Sequence, residues 1–280
     1  MFEIKNKKIL NDTVTMMDIL APYIAAKAQP GQFIILRVNE SGERIPLTIA
    51  GTDKNNGTVK IIFQIVGATT YELNKLNKGD FICDFAGPLG KPTELEGLKK
   101  VCVVAGGVGC AIALPIAEKL HESGCEVHSI IGFRNNDLKI LEDEFNEVSD
   151  KLTIMTDDGS YGNKGVVTQP LKDAIESNEN YDCVITIGPL IMMKFVVETT
   201  RPYNIKTIVS MNPIMIDGTG MCGGCRLTVG GKLKFACVDG PDFDGFEIDF
   251  DEAMQRGAMY KDFEHHAYEK KCNLLNKEVK

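Results

Sequence analysis

Between Val101 and Ala117 no residue carries a charge. The run is short of the ~20 residues a membrane span needs, and Gly106, Gly107, Gly109 and Pro115 interrupt it. It reads instead as a buried strand, Lys100 to Ala105, that turns through Ala105-Gly106-Gly107-Val108-Gly109-Cys110-Ala111 into a helix from Ala111 to His121. A strand apolar on both faces has to be covered on both sides. That is the situation of a parallel sheet with helices above and below it.

The residues that follow keep this rhythm. Strands are expected at Glu126 to Phe133, Leu152 to Thr156 and Cys183 to Ile187. Helices are expected at Leu138 to Val148, around Val167 to Ser177 and at Leu190 to Thr199. The stretch before about residue 98 is different. Short β-branched runs such as Gln32 to Val38 and Val59 to Val66 alternate with turn signals at Pro30-Gly31, Asn55-Asn56-Gly57 and Lys78-Gly79-Asp80. Strands at this spacing suggest a small barrel. The expected fold class is therefore β plus α/β. An N-terminal antiparallel β-barrel spans 1–97, a doubly wound parallel-sheet nucleotide domain 98–211, and a cysteine-rich lobe 212–250. A charged helical tail spans 251–280; it holds His265 and His266, which read as solvated or partner-facing.

The net charge of −8 disfavours nucleic acid and acidic membrane as partners. The opening Met1-Phe2-Glu3-Ile4-Lys5 has no apolar core of a secretion signal, so a cytoplasmic location is expected. Nine cysteines in a reducing compartment should be thiols or metal ligands. Cys83, Cys102, Cys110, Cys125, Cys183 and Cys272 are scattered and read as small packed side chains. The cysteines of Asp217-Gly218-Thr219-Gly220-Met221-Cys222-Gly223-Gly224-Cys225, followed after a hairpin-like run by Cys237, are clustered. This cluster is a candidate metal site.

The glycine turn after the first parallel strand lets a backbone approach a phosphate at a helix N-terminus. Two further loops follow strand ends, Thr156-Asp157-Asp158-Gly159 and Ile187-Gly188-Pro189-Leu190-Ile191-Met192. Ligands of doubly wound sheets bind outside the carboxyl ends of the strands. Candidate nucleotide contacts are Gly106, Gly107, Val108, Gly109, Arg134, Asp157, Asp158, Gly159, Gly188, Pro189 and Met192. No basic residue adjoins Asp157 and Asp158 that would favour a 2′-phosphate. Arg134 is the counter-candidate, and the balance favours NAD(H).

Barrel, nucleotide loops and cysteine loop in this order resemble the ferredoxin–NADP reductase superfamily. That resemblance implies FAD on the barrel. Its flavin motif R-x-[YP]-[ST] is read here as Ile45-Pro46-Leu47-Thr48, with the arginine displaced by one residue to Arg44. Gly67-Ala68-Thr69-Thr70 is similar to the second flavin contact of the family. The implied FAD contacts are Arg44, Pro46, Leu47, Thr48, Ile62, Gln64, Gly67, Thr69 and Thr70. Cys222-x2-Cys225-x11-Cys237 also resembles the C-x4-C-x2-C-x11-C of dihydroorotate dehydrogenase electron-transfer subunits, with Asp217 in the first position. This implies a [2Fe–2S] cluster on Asp217, Cys222, Cys225 and Cys237.

With the aspartate, the whole chain most resembles the small subunits of electron-bifurcating NADH-dependent ferredoxin:NADP oxidoreductases. The implied cofactors are FAD, the [2Fe–2S] cluster and NAD(H). The implied partner is a larger subunit carrying flavin and [4Fe–4S] clusters, similar to the small subunit of glutamate synthase, and through it ferredoxin. No side chain is expected to act as a catalytic acid, base or nucleophile. Two other readings are an electron-transfer subunit of NAD-dependent dihydroorotate dehydrogenase and a non-redox binding module with structural zinc.

Overall fold

The computed structural model describes residues 1–259, 261–264 and 266. Most of the tail expected over 251–280, with His265 and Cys272, lies outside the described residues.

The first sheet holds seven antiparallel strands: β1 (Phe2–Asn11), β2 (Val14–Leu20), β3 (Phe33–Arg37), β4 (Arg44–Asp53), β5 (Thr58–Gln64), β6 (Phe81–Ile82) and β7 (Asp84–Leu89). Their order is β6-β1-β2-β5-β4-β3-β7. β6 and β7 are separated by one residue yet occupy opposite edges, so the sheet curls into a nearly closed barrel. Alternation fills the interior: Val59, Ile61 and Phe63 of β5 point inward with Met17, Ile19, Ile34 and Leu36. Two short helices, α1 (Pro22–Lys27) and α2 (Ala68–Lys75), plug it with Ile24, Ala25 and Leu73.

The second sheet contains β8 (Lys100–Gly106), β9 (Glu126–Phe133), β10 (Lys151–Thr156), β11 (Asn163–Lys164), β12 (Cys183–Ile187) and β13 (Thr207–Ser210). The helices α3 (Cys110–Glu122), α4 (Glu142–Val148), α5 (Thr168–Glu176) and α6 (Leu190–Thr200) connect them. These strands are parallel in the order β11-β10-β9-β8-β12-β13. From β8 the chain first winds outward through β9 and β10, then crosses back to β12 and β13. The order therefore reverses between β8 and β12, and that crevice is where a doubly wound sheet binds its ligand.

The last segment forms the hairpin β14 (Arg226–Val229) and β15 (Lys232–Phe235), a single turn α7 (Ala236–Asp239), β16 (Asp242–Asp244) and α8 (Phe250–Ala258). The hairpin stands where the run between Cys225 and Cys237 anticipates it. β16 departs from the expected lobe, because it pairs antiparallel with β13 and becomes the edge of the nucleotide sheet. A third core joins all three parts. Phe33 and Ile35 from the barrel meet Met193, Val197 and Val209 from the nucleotide domain and Cys225, Leu227 and Cys237 from the lobe.

Candidate functional site

At the switch point the glycines separate into two kinds. A Cβ on Gly109 would lie 2.5 Å from the Ile187 carbonyl oxygen and 2.9 Å from the Gly188 Cα. One on Gly106 would lie 2.5 Å from the Met192 Sδ. These two glycines let the β8 and β12 loops pack on each other. Gly107 is left-handed (φ +55°), and the position of its missing Cβ faces open space. Only Gly107 has the room that a ligand approach needs. Cys110, next in sequence, is wholly buried, and burial pushes its thiol above the usual range. It packs as the sequence reading expected of the scattered cysteines.

Beyond β10 the two aspartates have different roles. The Asp158 carboxylate accepts from the Ser160 N–H (2.9 Å) and hydroxyl (2.7 Å), which hold it below the ordinary carboxylate range. Ser160 Oγ in turn accepts from the Asn136 N–H at 2.8 Å. Asp158 thus shapes the loop around Gly159, while Asp157 and Arg134 are exposed at the carboxyl edge. Lys139 lies 3.5 Å over the Tyr161 ring and pairs with Glu142, which accepts the Tyr161 hydroxyl proton at 2.6 Å. This network closes one wall of the edge.

On the barrel, Pro46, Leu47 and Thr48 are half-buried on β4. Gly67 caps α2; its N–H and that of Val66 donate to Thr70 Oγ1 at 3.1 Å each. A Cβ at Gly67 would meet nothing, so the helix N-terminus opens onto free space and fits an anionic diphosphate. Thr69 Oγ1 donates to the Glu43 carboxylate at 3.2 Å. Gln64 ends β5, half-buried opposite Val14. Ile62 is 7% exposed and packs with Val14 and Ala50 against α3, in the seam between barrel and nucleotide domain. Arg44 is exposed, and its Nε donates to the carbonyl of Ile216 at 2.9 Å.

That carbonyl immediately precedes the cysteine loop. Asp217 accepts from Thr219 N–H at 2.8 Å and Cys222 N–H at 2.7 Å, and the Thr219 bond is the main reason its carboxyl is held low. Cys237 N–H approaches Cys225 Sγ at 3.4 Å. Burial, with the Cys225 thiol beside it, pushes the free Cys237 thiol up to about 12. The Asp217 carboxylate thus sits on the Cys222 backbone and the Cys225 thiol on the Cys237 backbone. Among the described residues, the group of three potential ligand atoms mutually within 4.8 Å is Glu126, His128 and Glu179, and Lys100 bridges both of its carboxylates. Three cysteines and a carboxylate on one loop and the turn after its hairpin are donors that fit an iron–sulfur centre. All eight described cysteines are free thiols.

A barrel with an open helix N-terminus, a doubly wound domain with a glycine turn at its switch point, and a cysteine-rich loop define an electron-transfer oxidoreductase subunit of the ferredoxin–NADP reductase type. Residues 212–249 match the iron–sulfur cluster binding domain of dihydroorotate dehydrogenase B. An uncharacterized protein of Clostridium beijerinckii is 51% identical over 93% of this chain and 91% of its own. A dihydroorotate dehydrogenase B (NAD(+)) electron transfer subunit homolog of Thermotoga maritima is 46% identical over 95% of this chain and 94% of its own. A solved chain of an NADH-dependent reduced ferredoxin–NADP oxidoreductase, studied for flavin-based electron bifurcation, superposes with a TM-score of 0.90. It is 45% identical, with 96% of each chain covered. The chain belongs to the family of dihydroorotate dehydrogenase B-type electron-transfer subunits. It is an oxidoreductase subunit whose cofactors are FAD, an iron–sulfur cluster and NAD(H), and it works in a complex with a larger subunit. No helix among the described residues is long and apolar enough to cross a membrane.

The bond from Arg44 to Ile216, the bond from Thr69 to Glu43 and the buried Asp242 were not anticipated from sequence. The first two join positions distant in the chain and leave no local signature. Asp242 opens a short acidic piece, Thr93 Oγ1 donates to its Oδ2 at 2.6 Å, and burial of the carboxyl pushes it upward.

Proposed function

We propose that this chain is the NAD(H)-handling small subunit of an electron-bifurcating NADH-dependent ferredoxin:NADP oxidoreductase, at work in the cytoplasm. The observation that carries this reading is Asp217. Its carboxylate occupies the first ligand position of the loop and is tied to the Cys222 backbone, in a chain that matches the ferredoxin–NADP oxidoreductase along nearly its whole length. On this reading residues 1–97 hold FAD, 98–211 hold NAD(H), 212–250 hold a [2Fe–2S] cluster and 251–280 face the partner. The partner is a larger subunit with its own flavin and [4Fe–4S] clusters. Exposed Ile216, Met221 and Val238 around the loop give it an apolar landing.

The bound nicotinamide, flavin and irons supply the hydride and single-electron chemistry. The chain's own residues orient and shield them. Gly107 leaves room for the nucleotide backbone, and Gly106 and Gly109 seat Gly188, Pro189 and Met192 beside it. Val108 turns the chain into α3, Gly159 closes the aspartate loop, and Asp157 meets the ribose while Arg134 flanks it. On the barrel, Pro46, Leu47, Thr48 and Gln64 line the flavin face, with Ile62 supporting it from the seam. Gly67, Thr69 and Thr70 present the α2 N-terminus to the diphosphate. Asp217, Cys222, Cys225 and Cys237 would hold the two irons. Buried Cys225 and Cys237 exclude water from one end, while Cys222 lies open toward a partner.

The test is to co-express the chain with candidate large subunits, purify the complex, and assay NADP reduction by NADH with and without reduced ferredoxin. Ferredoxin-dependent activity and an iron–sulfur spectrum are expected. Co-purification with a dihydroorotate-oxidising subunit and no dependence on ferredoxin would refute it. That outcome would favour the second reading, an electron-transfer subunit of dihydroorotate dehydrogenase, which the name of the Thermotoga maritima relative supports.

A further inference from the structure

We infer that Arg44 is a positioning residue for the cluster loop: it fixes the Ile216–Asp217 peptide to the flavin-bearing strand of the barrel. This rests on the reading of that loop as the cluster site.

Arg44 opens β4, the strand that carries Pro46, Leu47 and Thr48. Its Nε donates to the Ile216 carbonyl at 2.9 Å across 172 positions of sequence. That carbonyl belongs to the same peptide plane as the Asp217 N–H, so holding it orients the residue whose carboxylate closes the loop onto Thr219 and Cys222. A second contact defines the same seat. Gly218 lies so close to the barrel that a Cβ would fall 2.6 Å from Leu89 Cδ1 and 2.9 Å from Ile35 Cδ1. Ile35 pairs with Pro46 across the sheet, so Gly218 and Arg44 grip neighbouring strands of one barrel face.

The neighbouring residue extends the link. Glu43 accepts from Thr69 Oγ1 at the N-terminus of α2. The dipeptide Glu43-Arg44 thus touches the turn assigned to the flavin diphosphate with one side chain and the cluster loop with the next. Arg37, paired with Arg44 on β3, cannot substitute. Its Nε is committed to Asp84 at 2.6 Å and its Nη1 to the Glu40 carbonyl at 2.9 Å.

The experiment compares wild type, Arg44→Lys and Arg44→Gln in the assembled complex, each loaded with excess FAD so that flavin content is equal. The readouts are iron content, the EPR spectrum of the dithionite-reduced cluster, and the rate of cluster reduction by NADH in stopped flow. The bond to a charged donor biases the loop toward its seat by about tenfold. Both variants should therefore keep their iron, show a shifted or split cluster signal, and reduce the cluster several-fold more slowly. Lysine should not rescue, because its ammonium lacks the planar Nε–H that meets this carbonyl. Wild-type EPR features and rates in both flavin-loaded variants would overturn the assignment and leave Arg44 only the FAD contact that the resemblance implies. A wild-type complex without any iron–sulfur signal would instead remove the reading of the loop itself.

Discussion

Replacing Gly218 with alanine tests how tightly the cluster loop is seated on the barrel. Two costs are legible. Gly218 is left-handed at φ +76°, which costs a side chain about 1–2 kcal/mol. The new Cβ would also arrive 2.6 Å from Leu89 Cδ1 and 2.9 Å from Ile35 Cδ1. Ile35 is 1% exposed, so it and Leu89 must repack to admit the methyl, and overpacking adds about 1–3 kcal/mol. Gly231, in the hairpin of the same lobe, supplies the control. Its φ is +70°, but a Cβ there meets nothing. Gly231→Ala should carry the backbone cost alone, and the difference between the variants isolates the packing. At roughly 2–4 °C per kcal/mol for a chain of this size, a difference of about 2 kcal/mol is about 4–8 °C. Calorimetry of both variants, with iron content measured alongside, provides the assay. If Gly218→Ala melts together with Gly231→Ala and keeps its iron, the loop is not seated as described.

Three further outcomes follow from the same geometry. Gly109→Ala needs no unusual φ, but its Cβ would strike the backbone of Ile187 and Gly188, which has no rotamer to yield, so the two switch-point loops must part. NADH affinity by fluorescence titration should fall at least about tenfold, a loss of about 1.4 kcal/mol; an unchanged affinity would remove the nucleotide from this crevice. Cys237→Ser should lose iron, whereas Asp217→Cys should keep it with an altered visible and EPR spectrum; an Asp217→Cys spectrum identical to wild type would show that the carboxylate is no ligand. Asp242 is buried with its carboxyl pushed upward, chiefly by desolvation, so its neutral form is the one the fold favours. That contribution is fully present below the unfolded value of about 3.9 and is lost as pH rises through the folded value. Asp242→Asn cannot ionise, so denaturation midpoints of wild type should fall relative to the variant as pH rises above about 4; parallel curves would refute this.

The large elements were legible because their residues repeat a pattern. β8 and β12 are continuous apolar runs, and β5 alternates Val59, Ile61 and Phe63. The hairpin between Cys225 and Cys237 announces itself with Gly230-Gly231, both left-handed. Elements below a period or two were not legible: β13 has four residues and β16 three, and α1 is a helix of six. β16 was hidden further by its acidic composition, which carries no strand pattern; Thr93 and the end of β13 hold Asp242 in place. The candidate site divides in the same way. Spacing drew out the clustered cysteines and the glycine turn, while Asp217 as a candidate ligand came from the family resemblance. Spacing could not separate Gly109, which packs a loop, from Gly107, which faces open space, since that distinction lies in what surrounds each Cα.

The lobe at 212–249 shows why the three parts must be built together. Fewer than about 40 residues cannot enclose a sufficient core without a metal or a borrowed wall. This segment has both kinds of support. Phe33 and Ile35 supply the wall on the barrel side, Met193, Val197 and Val209 supply it on the nucleotide side, and β16 is stitched into the second sheet. Each borrowed wall also fixes a distance. A relay passing electrons from one bound group to the next depends on spacings that do not drift. In this fold the spacing between barrel and loop is set by the shared apolar core, and only then refined by the polar bond from Arg44. Loosening the polar bond should therefore change how the loop's ligands are presented while leaving the lobe folded. Cutting into the core at Ile35 or Leu227 should release the lobe as a whole.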